Sequence, residues 1–439
     1  MNIAFFIPPL LLLGYLSYRN TNHGIYVLLA TIPGYLLRLN VWIVPTTWLE
    51  LAIYVVAAVS LYKHIKRKTL ASHWYYVLHH ARVYIIPILL FVVSALFAAG
   101  IAKDATRALG IIKAWYFDPL LFSILLLDKL TNKLITARVY YALSVSAIPI
   151  MAYGFFEYAT MSGLTIPGRL DSFFESPNYA AMYLAPLILL FGGRFIMEEM
   201  REKSLSRNLY SILWVCAALA AIVLTKSFGG LFGLFGGAVF FAIFYKKPTA
   251  KKIITLSALF IIVTALGFFG YQNSKTHYNA FWKINSLNTR VEVWTHTLTM
   301  ITRSPIIGVG QGGFHDAYQT YVSDLPPKLQ PIEKDVLWPH NIYLTILVEN
   351  GVVALSAFLW ILAIFYFETF RRDRAIIPAC AMTSIVLHGL VDTPYLKNDL
   401  SLVFWIIIVA SIASRAAHPK KQSKKTNPAL ETFHRTGLF

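Results

Sequence analysis

Polar residues in this chain fall in short clusters, and between them run apolar stretches long enough to cross a bilayer, which takes about 20 residues of helix. The runs are continuous rather than alternating, and far longer than the ~10 residues of a membrane-spanning strand. The pattern predicts an all-α fold, a polytopic transmembrane helical bundle. Candidate spans lie at 3–18, 24–38, 42–62, 82–101, 107–127, 139–157, 178–195, 208–224, 227–245, 253–271, 341–367, 375–391 and 399–414. That makes thirteen, or twelve if one of the first two, which are short and joined by Ser17–Gly24, is re-entrant.

The apolar pattern stops once for long, over about 272–340. Inside this loop Val291, Trp294, Leu298 and Ile301 recur at helical spacing. They predict an amphipathic helix over 290–301 that lays this face on an apolar surface. It ends near Arg303-Ser304-Pro305. A glycine-rich turn follows, then a short aromatic-rich segment through Tyr318 and Tyr321. No period of 20–50 residues repeats, which excludes a solenoid. The expected organisation is a transmembrane domain over 1–414, one elaborated external loop, and a basic tail over 415–439.

Composition excludes a soluble enzyme on an anchor: charged residues make up 14% of the chain, against about 25% in soluble domains. Mean hydropathy is +0.58. The net charge of +18 invites nucleic acid as a partner, and its distribution argues for none. Basic residues cluster at Lys63/Lys66/Arg67/Lys68, Lys246/Lys247/Lys251/Lys252, Arg371/Arg372/Arg374 and Lys420/Lys421/Lys424/Lys425, as the positive-inside bias produces. The long loop carries six Lys and Arg against five Asp and Glu. The basic turns and tail are therefore placed in the cytoplasm and the long loop outside. The tail from Arg415 reads as disordered and suited to anionic membrane lipid. Cys216 and Cys380 read as buried apolar residues. The N-terminus lacks a basic n-region and a small-residue cleavage site, so it reads as a retained first helix.

Candidate chemistry gathers at the outer rim. Cations at membrane depth are costly and functional by default. Arg38 at the end of the second span and Lys113 at the start of the fifth read equally as end anchors whose heads snorkel to water. Arg169, Lys226 and Arg290 converge outside against the positive-inside bias, which favours function. Several cations beside glycine-rich helix starts suit a polyanion such as a diphosphate: arginine grips phosphate oxygens bidentately, and lysine is a point charge. Pro339-His340-Asn341 closes the loop. His340 is either a cap of the next helix or a general base, a role that suits imidazole near neutral pH. His277, His296 and His315 lack ligand spacing. Gly308, Gly310 and Gly313 match a dinucleotide fingerprint without its βαβ context, so they read as a tight turn of closely packed backbone. In His388-Gly-Leu-Val-Asp392-Thr-Pro394-Tyr-Leu-Lys397-Asn-Asp399, Asp392 either orients a base, binds sugar hydroxyls or pairs with Lys397.

These residues resemble the O-antigen ligase and polymerase superfamily. The resemblance is carried by Ile43-Val44-Pro45-Thr46-Thr47-Trp48-Leu49-Glu50, by Gly168-Arg169 through Ser176-Pro177-Asn178, and by Leu224-Thr225-Lys226-Ser227-Phe228-Gly229-Gly230. Arg290-Val-Glu-Val-Trp294 follows with Ser304-Pro305, Gly308, Gly310 and Phe314, then Pro339-His340-Asn341-Ile-Tyr343-Leu344 with Glu349-Asn350-Gly351, and His388 to Asp399. Each piece is short, but the ordered set covers most of the chain.

The resemblance implies a GT-C type glycosyltransferase in the bacterial inner membrane, working on the periplasmic face without metal or nucleotide sugar. It implies an undecaprenyl-diphosphate-linked glycan as donor and an acceptor glycan or glycolipid. Transfer would invert the anomeric centre, with the acceptor deciding between ligase and polymerase. His340 and Arg290 would be catalytic, with Arg169, Lys226, Asn178, Asn341 and Asp392 binding substrate. Family members often carry Thr-x-Ser-Arg-Gly where this chain has Thr225-Lys226-Ser227-Phe228-Gly229. Lysine stands two positions early, about 200° around a helix, so it substitutes only from an irregular hairpin. The alternative from another class is a transporter of lipid-linked glycan, which needs polar sites at mid-membrane on broken helices.

Overall fold

The computed structural model describes residues 3–41, 44–197, 205–245, 249–273, 285–331, 333–370 and 375–416. The bundle is built from α1 (Ile7–Arg19), α2 (Thr21–Ala30), α3 (Trp48–Lys66), α4 (Leu70–Gly100), α5 (Ala105–Ile112), α6 (Asp118–Leu127), α7 (Lys133–Thr160), α8 (Pro177–Met197), α9 (Leu205–Leu224), α10 (Phe228–Phe244) and α11 (Ala250–Asn273). The loop contributes α12 (Asn285–Arg303) and α13 (Phe314–Ser323), and α14 (Ile342–Phe370), α15 (Ile376–His388) and α16 (Asn398–Ala416) complete the bundle. Among the described residues seven helices are long and apolar enough to span a membrane, α5 and α6 counting as one, and α10, α15 and α16 are shorter apolar helices. Lys246, Lys247, Arg371, Arg372, Arg374, His277 and the tail from 417 lie outside the described residues.

The structure corrects several expectations. The second candidate span stops at Ala30, because Pro33 and Gly34 turn the chain through a short 3-10 helix at Ile32–Leu36; proline offers no N–H to continue a helix. Arg38 then opens β1 (Arg38–Val41), an antiparallel partner of β2 (Val44–Thr47), with Arg38 opposite Thr47. The third helix starts only at Trp48. Thr47 and Glu50 form a reciprocal capping box there, satisfying two helix-start donors. Lys113 lies inside the Ala105–Leu127 span, where α5 passes through a π-turn at Lys113–Phe117 into α6. Cys216 is exposed on α9, while Cys380 is buried. A small thiol tolerates either surface in an apolar helix.

The centre is close-packed. Every residue of α8 from Ala180 to Gly192 is buried, as is every residue of α16 from Asp399 to Ala413. The glycine stripe of α10 lets it press on α8 and α15. A Cβ on Gly229 would meet the His388 ring at 2.6 Å, one on Gly230 would meet Ala181 Cβ at 2.6 Å, and one on Gly233 the Ser384 carbonyl at 2.5 Å. Backbones at that distance gain packing that lipid cannot supply.

The long loop has its own small core. Val293, Met300, Phe314, Tyr318, Tyr321, Val322 and Val336 pack together and onto Val348 of α14. The buried face of α12 is Val293, Thr297 and Met300, while Val291 and Leu298, expected on that face, are 49% and 53% exposed. The helix is rotated because the glycine turn and α13 occupy its inner side. As expected, the turn is tight: Gly308, Gly310 and Gly312 all have positive φ. It docks in a break of α14 at Gly351, where φ is +79°. There Val309 and Gly310 donate to Val348 O and Glu349 O, and Val352 donates to Pro305 O. The buried Glu349 carboxylate accepts from Gly312 N and Phe314 N at 3.0 and 3.3 Å.

Two ends of the bundle are distinct. Lys63 Nζ reaches Ser17 O and Thr21 Oγ1 at 2.8 and 3.2 Å, tying the α1–α2 turn to the basic turn after α3. At the far end of α4, about 45 Å away by helix rise, Gln311 N donates to Ala98 O at 3.2 Å. The long loop and the basic turn after α3 thus occupy opposite ends.

Candidate active site

His340 is held by its neighbours in a backbone conformation that side chains rarely adopt, with φ +49°. The preceding carbonyl, Pro339 O, accepts the Trp294 indole N–H at 2.8 Å. The following residue is the cap of α14: Asn341 Oδ1 accepts from Tyr343 N and Leu344 N, and its Nδ2 donates to Leu390 O. Asn341, expected to bind substrate, caps α14 with its side chain, so the capping role open to His340 in the sequence falls to its neighbour. Strain kept between two such anchors is common at functional sites.

Asp392 sits beneath this histidine. It comes from the turn after α15, is only 4% exposed, and is fixed by Asp392 N donating to His388 O. Its Oδ1 lies 3.6 Å from His340 Nδ1, ion-pair rather than hydrogen-bond distance. Its Oδ2 lies 3.5 Å from Arg290 Nη2 and accepts from Asn178 Nδ2 at 3.0 Å. Asn178 in turn accepts from Arg169 Nη2 at 3.0 Å, and Arg169 Nε donates to Thr225 O at 2.8 Å, next to Lys226. So α8, α12, the starts of α10 and α14, and the α15–α16 turn meet at one carboxylate. Burial pushes the Asp392 carboxyl up, but His340, Arg290 and His388 around it more than offset this and hold it at about 2. It is a carboxylate at any working pH.

The structure brings together His340, Arg290, Arg169, Asn178 and Asp392, and sets Lys226 beside them. Lys226 has φ +50° in the turn between α9 and α10, the irregular hairpin that the lysine substitution requires. Lys113 is elsewhere, paired with Glu50 at 2.7 Å and with Pro45 O. Asp392 does not pair with Lys397, whose ammonium lies 3.4 Å from the centre of the Tyr179 ring. The Trp294 bond to Pro339 was not legible, because indole in an amphipathic repeat reads as apolar surface.

Residues 213–359 match the family model described as O-antigen ligase. This window runs from α9 through the loop to the middle of α14 and holds Lys226, Arg290 and His340. This stretch, about a third of the chain, is similar to the O-antigen ligases. A curated relative, the ComP-specific O-oligosaccharyltransferase of Acinetobacter baylyi (strain ATCC 33305 / BD413 / ADP1), is 22% identical over 237 residues, 52% of this chain and 41% of that protein. The match thus spans less than half of the relative. With seven apolar helices of spanning length among the described residues, the chain is a multi-pass membrane protein. Arg169, Asn178 and Asp392 fall outside the family window, and tertiary contacts alone join them to His340.

Proposed function

We propose that this chain is an O-antigen ligase family enzyme that transfers a glycan from a polyprenyl diphosphate carrier, undecaprenyl diphosphate by family resemblance, to an acceptor hydroxyl. The observation that carries the reading is His340 with Nδ1 turned to a buried carboxylate, Arg290 at the same carboxylate and Arg169 linked to it through Asn178. Nε2, on the opposite edge of the imidazole, takes the proton of the acceptor O–H. The oxygen attacks the anomeric carbon, the carbon–oxygen bond to the diphosphate breaks, and the diphosphate leaves with the electron pair on its lipid. Attack opposite the leaving group inverts the centre. Arg169 and Arg290, with Lys226, stabilise the charge that develops there, the kind of contribution that often dominates an enzyme's rate.

The relative's name specifies O-linked oligosaccharide transfer, which supports a hydroxyl acceptor. The site lies at the end of the bundle away from the basic turn after α3, which by the positive-inside bias supports a periplasmic site. The reading is tested with the protein in nanodiscs, an undecaprenyl-diphosphate glycan and a hydroxyl acceptor. Joined product, lost in His340→Ala, supports it. Movement of the lipid-linked glycan across the membrane with no joined product sinks it in favour of transport.

A further inference from the structure

Lys397 lies in the same α15–α16 turn as Asp392 and no part of the mechanism uses it. Its ammonium sits 3.4 Å from the Tyr179 ring centre, 5.6 Å from that of Phe174 and 5.8 Å from that of Tyr35. Phe174 and Tyr35 are each 3% exposed, so the cage is part of the core rather than a surface encounter. Aromatic faces stabilise a cation through their quadrupole, but they accept little from the three N–H donors of an ammonium. Among the described residues no carboxylate reaches ion-pair distance of Lys397. Asp399, two residues on, is buried, and its Oδ1 lacks a hydrogen-bond partner. Burial pulls the Lys397 ammonium below the usual lysine range, and Arg38 nearby lowers it further, against Asp399 and Glu175.

The turn therefore holds a partly buried cation among three aromatic rings, with no ion-pair partner among the described residues. Such a group is costly unless an anion completes it. Tyr179 follows Asn178 on α8, and Asn178 bonds to Asp392. Lys397 and Asp392 leave the same turn, and the Tyr179 ring that Lys397 meets follows the Asn178 that Asp392 meets.

We propose that Lys397 is a substrate-binding residue that receives an anionic substituent of the glycan, a sugar carboxylate or sugar phosphate, and so biases this protein toward acidic glycans. The assignment rests on the transferase reading for its substrate, but it is measurable without transfer. In the full-length protein in nanodiscs, the rate at which an amine-acylating reagent modifies Lys397 is followed by peptide mass spectrometry. A uronic-acid oligosaccharide should slow it several-fold, and the same oligosaccharide with its carboxyls reduced to alcohols should not. Equal protection by both, protection by neither, or protection by inorganic diphosphate alone overturns the proposal; the last outcome would place Lys397 in the diphosphate clamp.

Lys397→Met should raise the KM for a uronic-acid glycan donor by about tenfold or more, the worth of a charge-assisted hydrogen bond. A neutral glycan donor should keep its wild-type KM in that variant, which also shows that the fold is intact. A variant that impairs both donors equally, with kcat falling, contradicts the assignment. Carboxylate-specific protection without any transfer would leave this anion site standing and remove the transferase reading alone.

Discussion

The imidazole Nδ1 of His340 lies 3.6 Å from Asp392 Oδ1, and this approach joins the long loop to the α15–α16 turn. It sets which edge of the ring faces outward. A general base contributes about 10²–10⁴-fold, so His340→Ala should lower the transfer rate by that order. Binding of the undecaprenyl diphosphate carrier, measured by titration in nanodiscs, should persist because the arginines remain. Full transfer in this variant would reduce His340 to a structural residue.

Arg290 and Asp392 act as a pair with separable signatures. Arg290→Ala should abolish transfer without loss of fold, and Arg290→Lys should rescue poorly, since an ammonium cannot reproduce a bidentate grip on phosphate. Asp392→Asn should keep carrier binding but slow turnover, because the amide no longer draws His340 and Arg290 together. If Arg290→Lys turns over at the wild-type rate, planar phosphate recognition is not its role.

Asp392 also predicts a pH dependence of stability. Its folded value of about 2 lies below the ordinary carboxylate 3.8. The group therefore stabilises the fold fully above pH ~4 and loses this as pH falls toward 2, a contribution of about 2 kcal/mol. Thermal unfolding in detergent should show the gap between wild type and Asp392→Asn narrowing over that window and constant above it. A gap that widens on acidification would contradict the ion cluster.

Lys226 adopts a left-handed conformation that glycine prefers, so Lys226→Gly removes its charge without forcing the backbone. If the lysine contributes to carrier binding, this variant should bind the carrier more weakly at unchanged or improved thermal stability. Unchanged binding would make Lys226 an interfacial anchor.

Gly351 should be intolerant of any side chain. Its φ is +79°, and a Cβ would run into the Ile306 carbonyl. Gly351→Ala should cost more than about 2 kcal/mol and release the glycine turn from α14. Gly100→Ala, where a Cβ meets open space, serves as the control. Equal unfolding temperatures for the two variants would show that the α14 break is not what seats the loop.

The sequence by itself determined the all-helical membrane class, the position of the long loop and most of the residues that assemble at its base. It did so because bilayer crossing demands long apolar runs, and because cations placed against the positive-inside bias stand out one at a time. It also marked the glycine turn, since only close backbone packing explains that density of glycine. Only the tertiary structure decided how these pieces meet. Periodicity placed Val291 and Leu298 on the buried face of α12, but the docked turn and α13 take the other side and bury Val293 and Thr297. Apolar residues cannot report a hairpin, so the end of the second candidate span and the start of the third hid β1 and β2. Asp392 had three possible partners in sequence. The convergence of α8, α12 and the start of α14 gave it Asn178, Arg290 and His340, while the aromatic cage held Lys397 out of reach. Contacts between residues far apart in the chain leave no trace in local pattern, because each side chain alone is equally compatible with solvent, lipid or a partner.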